Sequence, residues 1–216
     1  MSDLTCPWEK LSKLIAAENS LELTEYIDTL SPPETARAIS RLTEAEQLGL
    51  LGLLSPEDAA DVIEEIPEVQ AADMVEDMPS ELAAAIMEEL ASDHLADVLG
   101  EMDGAASRSI LAKMDREDAE EARMFLEYAP DCAGGLMISE FLAYNTDNTI
   151  QDVLDDLQAN RSEYIDFRVQ YFYVVDREKK LAGVLRVHDL LFPARETSLS
   201  QVMLSSPLKV PDKASL

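Results

Sequence analysis

The chain has 216 residues, 47% of them hydrophobic, which is enough for a packed core in one large domain or two ordinary ones and too apolar for a disordered acidic tail. Its net charge of -27 excludes nucleic acid and anionic lipid as partners, because both are bound through Lys and Arg that neutralise phosphates; cations or basic partners are the natural ligands. The charge is uneven, with 30 acids and 8 bases in residues 1–126 against 14 and 9 in residues 127–216, a split that predicts two domains with different tasks.

Cys6 and Cys132 stand far apart, and neither a zinc spacing nor a disulfide framework is visible, so a reducing cytosol is expected. The N-terminus has no basic region followed by an apolar run, and no segment approaches the length of a bilayer span. The chain therefore reads as soluble.

Residues 1–18 predict a leader ending in a short amphipathic helix, with Trp8, Leu11, Leu14 and Ile15 at helical spacing, suited to docking or to capping the end of a helical array. From Asn19 a twelve-residue register runs without a gap to Leu126. Four of its nine units read SPEDAADVIEEI, PEVQAADMVEDM, PSELAAAIMEEL and ASDHLADVLGEM. The ninth position is apolar in eight of nine units, failing at Arg123, and the twelfth is apolar in all nine.

Pro32, Pro56 and Pro79 open units where proline is tolerated in a first helical turn, and Ser55–Asp58 and Asp115–Asp118 have N-cap spacing. Each unit then predicts a helix of about two turns, too short to persist alone in water. Stacking between units must supply the stability, which predicts a small helical solenoid. The methionines at 78, 87, 102 and 114 fall in its core register, so they are packing residues and not a soft-metal site.

After Tyr128 the pattern changes. Pro130 and the run Ala133–Met137 punctuate the chain like a hinge. Beyond it the residues predict a strand at Phe141–Tyr144, a helix at Thr149–Leu157, strands at Tyr171–Asp176 and Leu181–Val187, and a helix from about His188. A short helix near Leu199–Met203 and a strand starting at Leu208 come last. This is one α/β module whose YVV and GVL runs expect cover on both sheet faces; a single module leaves one face bare.

The run DCAGGLM, the following ISEFLAYNTDNTIQDVLDDL, and YFYVVDREKKLAGVLRVHDLL resemble the junction and first cystathionine-beta-synthase (CBS) module of the MgtE family of magnesium channels. The helical array resembles that family's N-terminal superhelical domain. The resemblance implies an all-helical superhelix over 1–130 followed by a CBS domain over 131–216, with a first module at 136–206 and the start of a second at 207–216, hence an incomplete CBS pair.

It further implies a non-catalytic, cytosolic Mg2+ sensor at the inner face of the cell membrane. In this expectation the two domains close when Mg2+ bridges their acids and gate a transmembrane domain of the same full-length protein. CBS modules imply a homodimer and admit ATP or AMP.

Independently of any family, no Lys or Arg lies from Leu42 to Ser107, while 18 acids do. Glu57, Asp61 and Glu65 are four apart, as are Asp93, Asp97 and Glu101. Like charges at that spacing destabilise a helix by roughly 0.2–0.5 kcal/mol per pair. A divalent cation with oxygen ligands compensates, and Mg2+, content with one or two carboxylates and its own waters, suits such a surface. The plainer reading is a solvated acidic face.

The family's metal carboxylates align with Asp93, Asp97 and Asp61, and its junction carbonyl with Gly135. His94 beside Asp93 is one histidine among carboxylates, a weak transition-metal signal. Asp189 either caps a helix or, by the resemblance, holds a nucleotide ribose; Arg186 stands where such modules carry a phosphate-binding Ser or Thr. No nucleophile and base pair, phosphate loop or catalytic acid pair is present. Two other classes stay open: an adenine-nucleotide sensor and a helical scaffold for a basic protein.

Overall fold

The structure is a computed structural model that describes residues 6–164, 167 and 169–215. Residues 1–5 of the expected leader and the chain end at Leu216 lie outside the described residues. The chain divides into two compact units, one of Met1–Met137 with Ser215–Leu216 and the other of Ile138–Ala214.

The named elements of the first unit are all helices among the described residues. Helix α1 (Pro7–Ala16) precedes nine more: α2 (Ser20–Ile27), α3 (Pro32–Ile39), α4 (Glu44–Leu53), α5 (Pro56–Glu64), α6 (Glu68–Glu76), α7 (Ser80–Met87), α8 (Ser92–Glu101), α9 (Gly104–Leu111) and α10 (Arg116–Phe125). From α2 onward every helix starts twelve residues after the one before, so each sequence unit is one helix whose first residue is the N-cap.

Ninth-position residues from Ile39 to Leu111 are buried, and twelfth-position residues from Leu42 to Met114 are 6–8% exposed. Arg123, the exception, is exposed and donates from Nη2 to the Leu111 carbonyl at 3.3 Å, tying α10 to the end of α9. Helices two apart in sequence pack together: α4 on α6, α6 on α8 and α8 on α10 form one column, α5 on α7 and α7 on α9 another. Helix α1 packs on α2, α3 and α4, burying Leu11 and Leu14 and closing the array at that end.

A further buried position is the fifth of the repeat unit. The fifth residue of the units is small in six of nine (Thr35, Ala59, Ala71, Ala83, Ser107, Ala119), and all six are at most 8% exposed. Small side chains let the helix axes approach closely.

The helix starts are capped in two ways. Asn19, Thr43 and Ser55 accept N–H groups of their own first turns, and Glu34 accepts the Ser31 N–H at 3.0 Å. Pro67 and Pro79 stand at the N-cap itself, one residue before the first helical turn expected for Pro79. Asp115, expected as a side-chain cap for α10, makes no such bond. Instead a glutamate from three helices earlier accepts the N-cap N–H: Glu64 takes Ala91 at 3.2 Å, Glu76 takes Asp103, and Glu88 takes Asp115. The three glutamates share the tenth position of consecutive units, so this ladder repeats with the fold.

The second unit is a four-stranded sheet in the order β1 (Ala143–Asn145), β2 (Tyr171–Val175), β3 (Leu181–Arg186) and β4 (Leu204–Ser205). β1 pairs parallel with β2, which requires the crossover through α11 (Ile150–Ala159) and the short α12 (Arg161–Tyr164); β2–β3 and β3–β4 are antiparallel. Thr149 and Asp152 form a capping box at the start of α11, and Ile150 and Val153 enter a core with Phe172, Val174, Leu185 and Leu199. A four-residue helix α13 (Leu199–Val202) follows.

Two expectations change here. The segment from His188 is a single 3-10 turn, Val187–Leu190, with Leu191 and Phe192 exposed. The last strand lies at Leu204–Ser205, directly after α13, where it pairs with Gly183 and Val184 of β3, whereas Leu208 is 99% exposed. The sheet has the bare face expected of a single module: along β2, Phe172 and Val174 are buried while Tyr171 and Tyr173 are exposed. Helices then a small mixed sheet is the α + α/β class expected.

Candidate functional site

Helix α8 presents Asp93, Asp97 and Glu101 at successive four-residue steps, so the three lie along one face. That face lines a groove of about 260 Å3 together with Ala96 and Gly100 of α8, Phe125 and Leu126 at the end of α10, and Tyr128, Pro130 and Gly135 from the segment after it. Three of the four expected metal ligands, Asp93, Asp97 and Gly135, therefore meet in one groove within the helical unit. Gly135 is about 40 residues from the carboxylates in sequence and reaches them because α8 and α10 share a column.

The electrostatics favour a cation. Asp97 is half-buried, and its carboxyl is pushed above the usual carboxylate range by burial first, then by Glu68, Asp93 and Glu101, with His94 opposing. Glu68 lies on α6, the other neighbour of α8 in the column; it was missed from sequence because the rule that helices stack two apart was not apparent there. Asp93 Oδ1 accepts the His94 N–H at 2.9 Å. The acids that line it, Asp93, Asp97 and Glu101, offer carboxylate oxygens, hard donors that fit Mg2+ or Ca2+ and not a soft metal.

Asp61 does not share this groove. It is on α5, in the other column, exposed overall, and its carboxyl is pushed up by partial desolvation and by Glu64, Asp58, Glu57 and Glu65. Beside it, Glu65 Oε2 is buried with no hydrogen-bond partner among the described residues. Elsewhere Glu88, Asp115 and Asp118 bring carboxylate oxygens within 4.8 Å of one another, a grouping that follows from Glu88 reaching across to the Asp115 N–H. The core methionines 78, 87, 102 and 114 are buried, as expected for packing residues.

Asp189 acts as a cap. Its Oδ2 accepts the Arg186 N–H and Nε, each at 3.0 Å, and its Oδ1 accepts Arg186 Nη2 at 3.1 Å and lies 2.9 Å from His188 Nε2. Hydrogen bonds from Arg186 hold the Asp189 carboxyl below its ordinary range. Both oxygens are thus engaged by this chain's own donors.

Within the run Ala133–Met137, expected as a hinge, Ala133–Leu136 forms a 3-10 turn with Gly134 buried. Both cysteines are free. Among the described residues no helix is long and apolar enough to cross a membrane.

The family model of the MgtE intracellular N domain matches residues 10–131. The chain is 32% identical over 90 residues to the magnesium transporter MgtE of Thermus thermophilus, covering 42% of this chain and 20% of that protein. It is 25% identical over 184 residues to the magnesium transporter MgtE of Bacillus subtilis, covering 85% of this chain and 40% of that protein. The matched stretches thus span about a fifth to two-fifths of those relatives.

Its fold is shared with the crystal structure of the soluble part of a magnesium transporter, at a TM-score of 0.83 and 24% identity over 97% of this chain and 82% of that one. It also matches the cytosolic domain of the Mg2+ channel MgtE in complex with ATP, at a TM-score of 0.84 and 25% identity over 96% of this chain and 84% of that one. The twelve-residue helical array, the α8 groove and the model match over 10–131 together place this chain in the MgtE intracellular N domain family.

Proposed function

We propose that this chain is a non-catalytic regulatory region of a membrane magnesium channel or transporter and that it senses Mg2+ at the cytoplasmic side of the cell inner membrane. Mg2+ is held in the α8 groove by Asp93 and Asp97, with the Gly135 carbonyl contributing, and Asp61 beside the buried Glu65 oxygen seats a separate ion. The observation that carries this reading is the meeting of Asp93, Asp97 and Gly135 in one groove where Asp97 is already opposed by three neighbouring acids.

A cation there relieves repulsion within the helical domain, 1–130, and brings carboxylates of the CBS domain, 131–216, to share it. Closure is a population shift, driven by the ion's higher affinity for the closed state. It is transmitted to a transmembrane domain of the full-length protein, which pairs as a homodimer through CBS modules. Millimolar Mg2+ should compact a chain containing both CBS modules in small-angle scattering and protect Asp131–Gly135 from proteolysis. No compaction would sink the reading.

A second reading, adenine-nucleotide sensing by the CBS unit, draws on the ATP complex of the similar cytosolic domain. Asp189 must then release Arg186 to hold a ribose. ATP raising the melting temperature more than Mg2+ does would favour it.

A further inference from the structure

The turn carrying Gly135 is held by a contact outside the repeat. A Cβ built on Gly134 would stand 2.2 Å from Cδ1 of Tyr128 and 2.6 Å from its Cε1 and Cγ, so the tyrosine ring fills the space that a side chain at 134 would need. A Cβ on Gly135 would stand 2.6 Å from the Ala129 carbonyl oxygen and 3.1 Å from Pro130 Cα. Neither glycine has a positive φ. Both are required by close approach and not by backbone conformation. The Gly135 N–H donates to the Cys132 carbonyl at 3.1 Å and the Gly134 carbonyl accepts the Met137 N–H at 3.3 Å, so the turn is closed on itself. Tyr128 and Gly135 line the same groove as Asp93 and Asp97.

We propose that Tyr128 is a positioning residue for the cation site: packed on Gly134, its ring sets where the Gly135 backbone stands in the groove that the α8 carboxylates line. The inference rests on reading that groove as the Mg2+ seat. Mg2+ demands near-octahedral oxygen geometry, so a displaced carbonyl drops out of its coordination. Residues that orient metal ligands from behind typically contribute 10–100-fold in affinity.

The test titrates Mg2+ into the 216-residue chain, reading affinity by calorimetry and the Gly135 amide by two-dimensional NMR. Asp97→Asn should weaken binding. Tyr128→Ala should weaken it by about tenfold, and the Gly135 amide should stop responding to Mg2+ while the α8 amides still shift. Tyr128→Phe, which keeps the ring, should retain the Gly135 response.

Gly134→Ala places a methyl where the ring sits and should reproduce the Tyr128→Ala loss; far-UV circular dichroism on both variants checks that the helical array is intact. If Asp97→Asn leaves binding unchanged, the groove reading falls and the inference with it. If Asp97→Asn weakens binding while Tyr128→Ala and Gly134→Ala keep wild-type affinity and the Gly135 response, the positioning role is overturned and the groove reading stands.

Discussion

Asp97 carries a charge that its surroundings oppose. Two like-charge neighbours on its own helix, Asp93 and Glu101, each cost roughly 0.2–0.5 kcal/mol. Asp97→Asn should therefore stabilise the ion-free protein by about 0.4–1 kcal/mol in urea denaturation with chelator present. The gain should vanish once Mg2+ occupies the groove.

The pH dependence has a definite sign. A carboxyl whose folded pKa is raised favours folding while protonated, and this contribution is lost as pH rises through the folded value. The advantage of Asp97→Asn should then be present at pH 7 and shrink as pH falls through the raised pKa of Asp97. Asp189 runs the other way: its carboxyl is depressed by hydrogen bonds from Arg186, so its contribution is present above the unfolded value and lost as pH falls through the folded one.

Among the elements, the glutamate ladder explains acids that the sequence left as a surface field. Glu64, Glu76 and Glu88 each place a carboxylate on the N-terminus of the helix three units on, where a backbone N–H lacks a partner and the helix dipole favours negative charge. Glu76→Ala should cost about 1 kcal/mol, the usual loss on removing an N-terminal cap, and Glu76→Gln, which keeps an acceptor oxygen, should cost less. Thermal denaturation of the two variants side by side checks this.

The stacking positions should behave differently. Ile63 is 2% exposed, and Ile63→Ala should cost about 2–5 kcal/mol through lost burial and a residual cavity. Chemical denaturation of this variant against Val69→Ala, at a residue 57% exposed, separates stacking from surface position.

For the whole molecule, a net charge of -27 gives any cation some stabilising effect by screening. A site predicts more than screening. A few millimolar Mg2+ should raise the melting temperature well beyond NaCl of equal ionic strength, and Asp97→Asn should narrow that difference. Equal effects of the two salts in the wild-type chain would reduce the acids to a diffuse field.

The helices and their phase were legible in sequence because a twelve-residue repeat states its own period: prolines and cap residues mark the starts, and the ninth and twelfth positions mark the buried face. The α8 ladder was equally plain, since i, i+4 spacing fixes which carboxylates share a helix face. What only the tertiary structure decided is which helices become neighbours. Stacking two apart puts Asp97 beside Glu68 and the turn after α10, and leaves Asp61 in the other column.

Gly134 and Gly135 stand out in sequence as punctuation; in the structure neither has a positive φ, and both positions need glycine for its lack of a Cβ. Sequence records that a side chain is missing but not what occupies its space. A one-dimensional repeat determines the units and their inward faces, while the site depends on contacts between residues far apart in the chain, which packing alone sets.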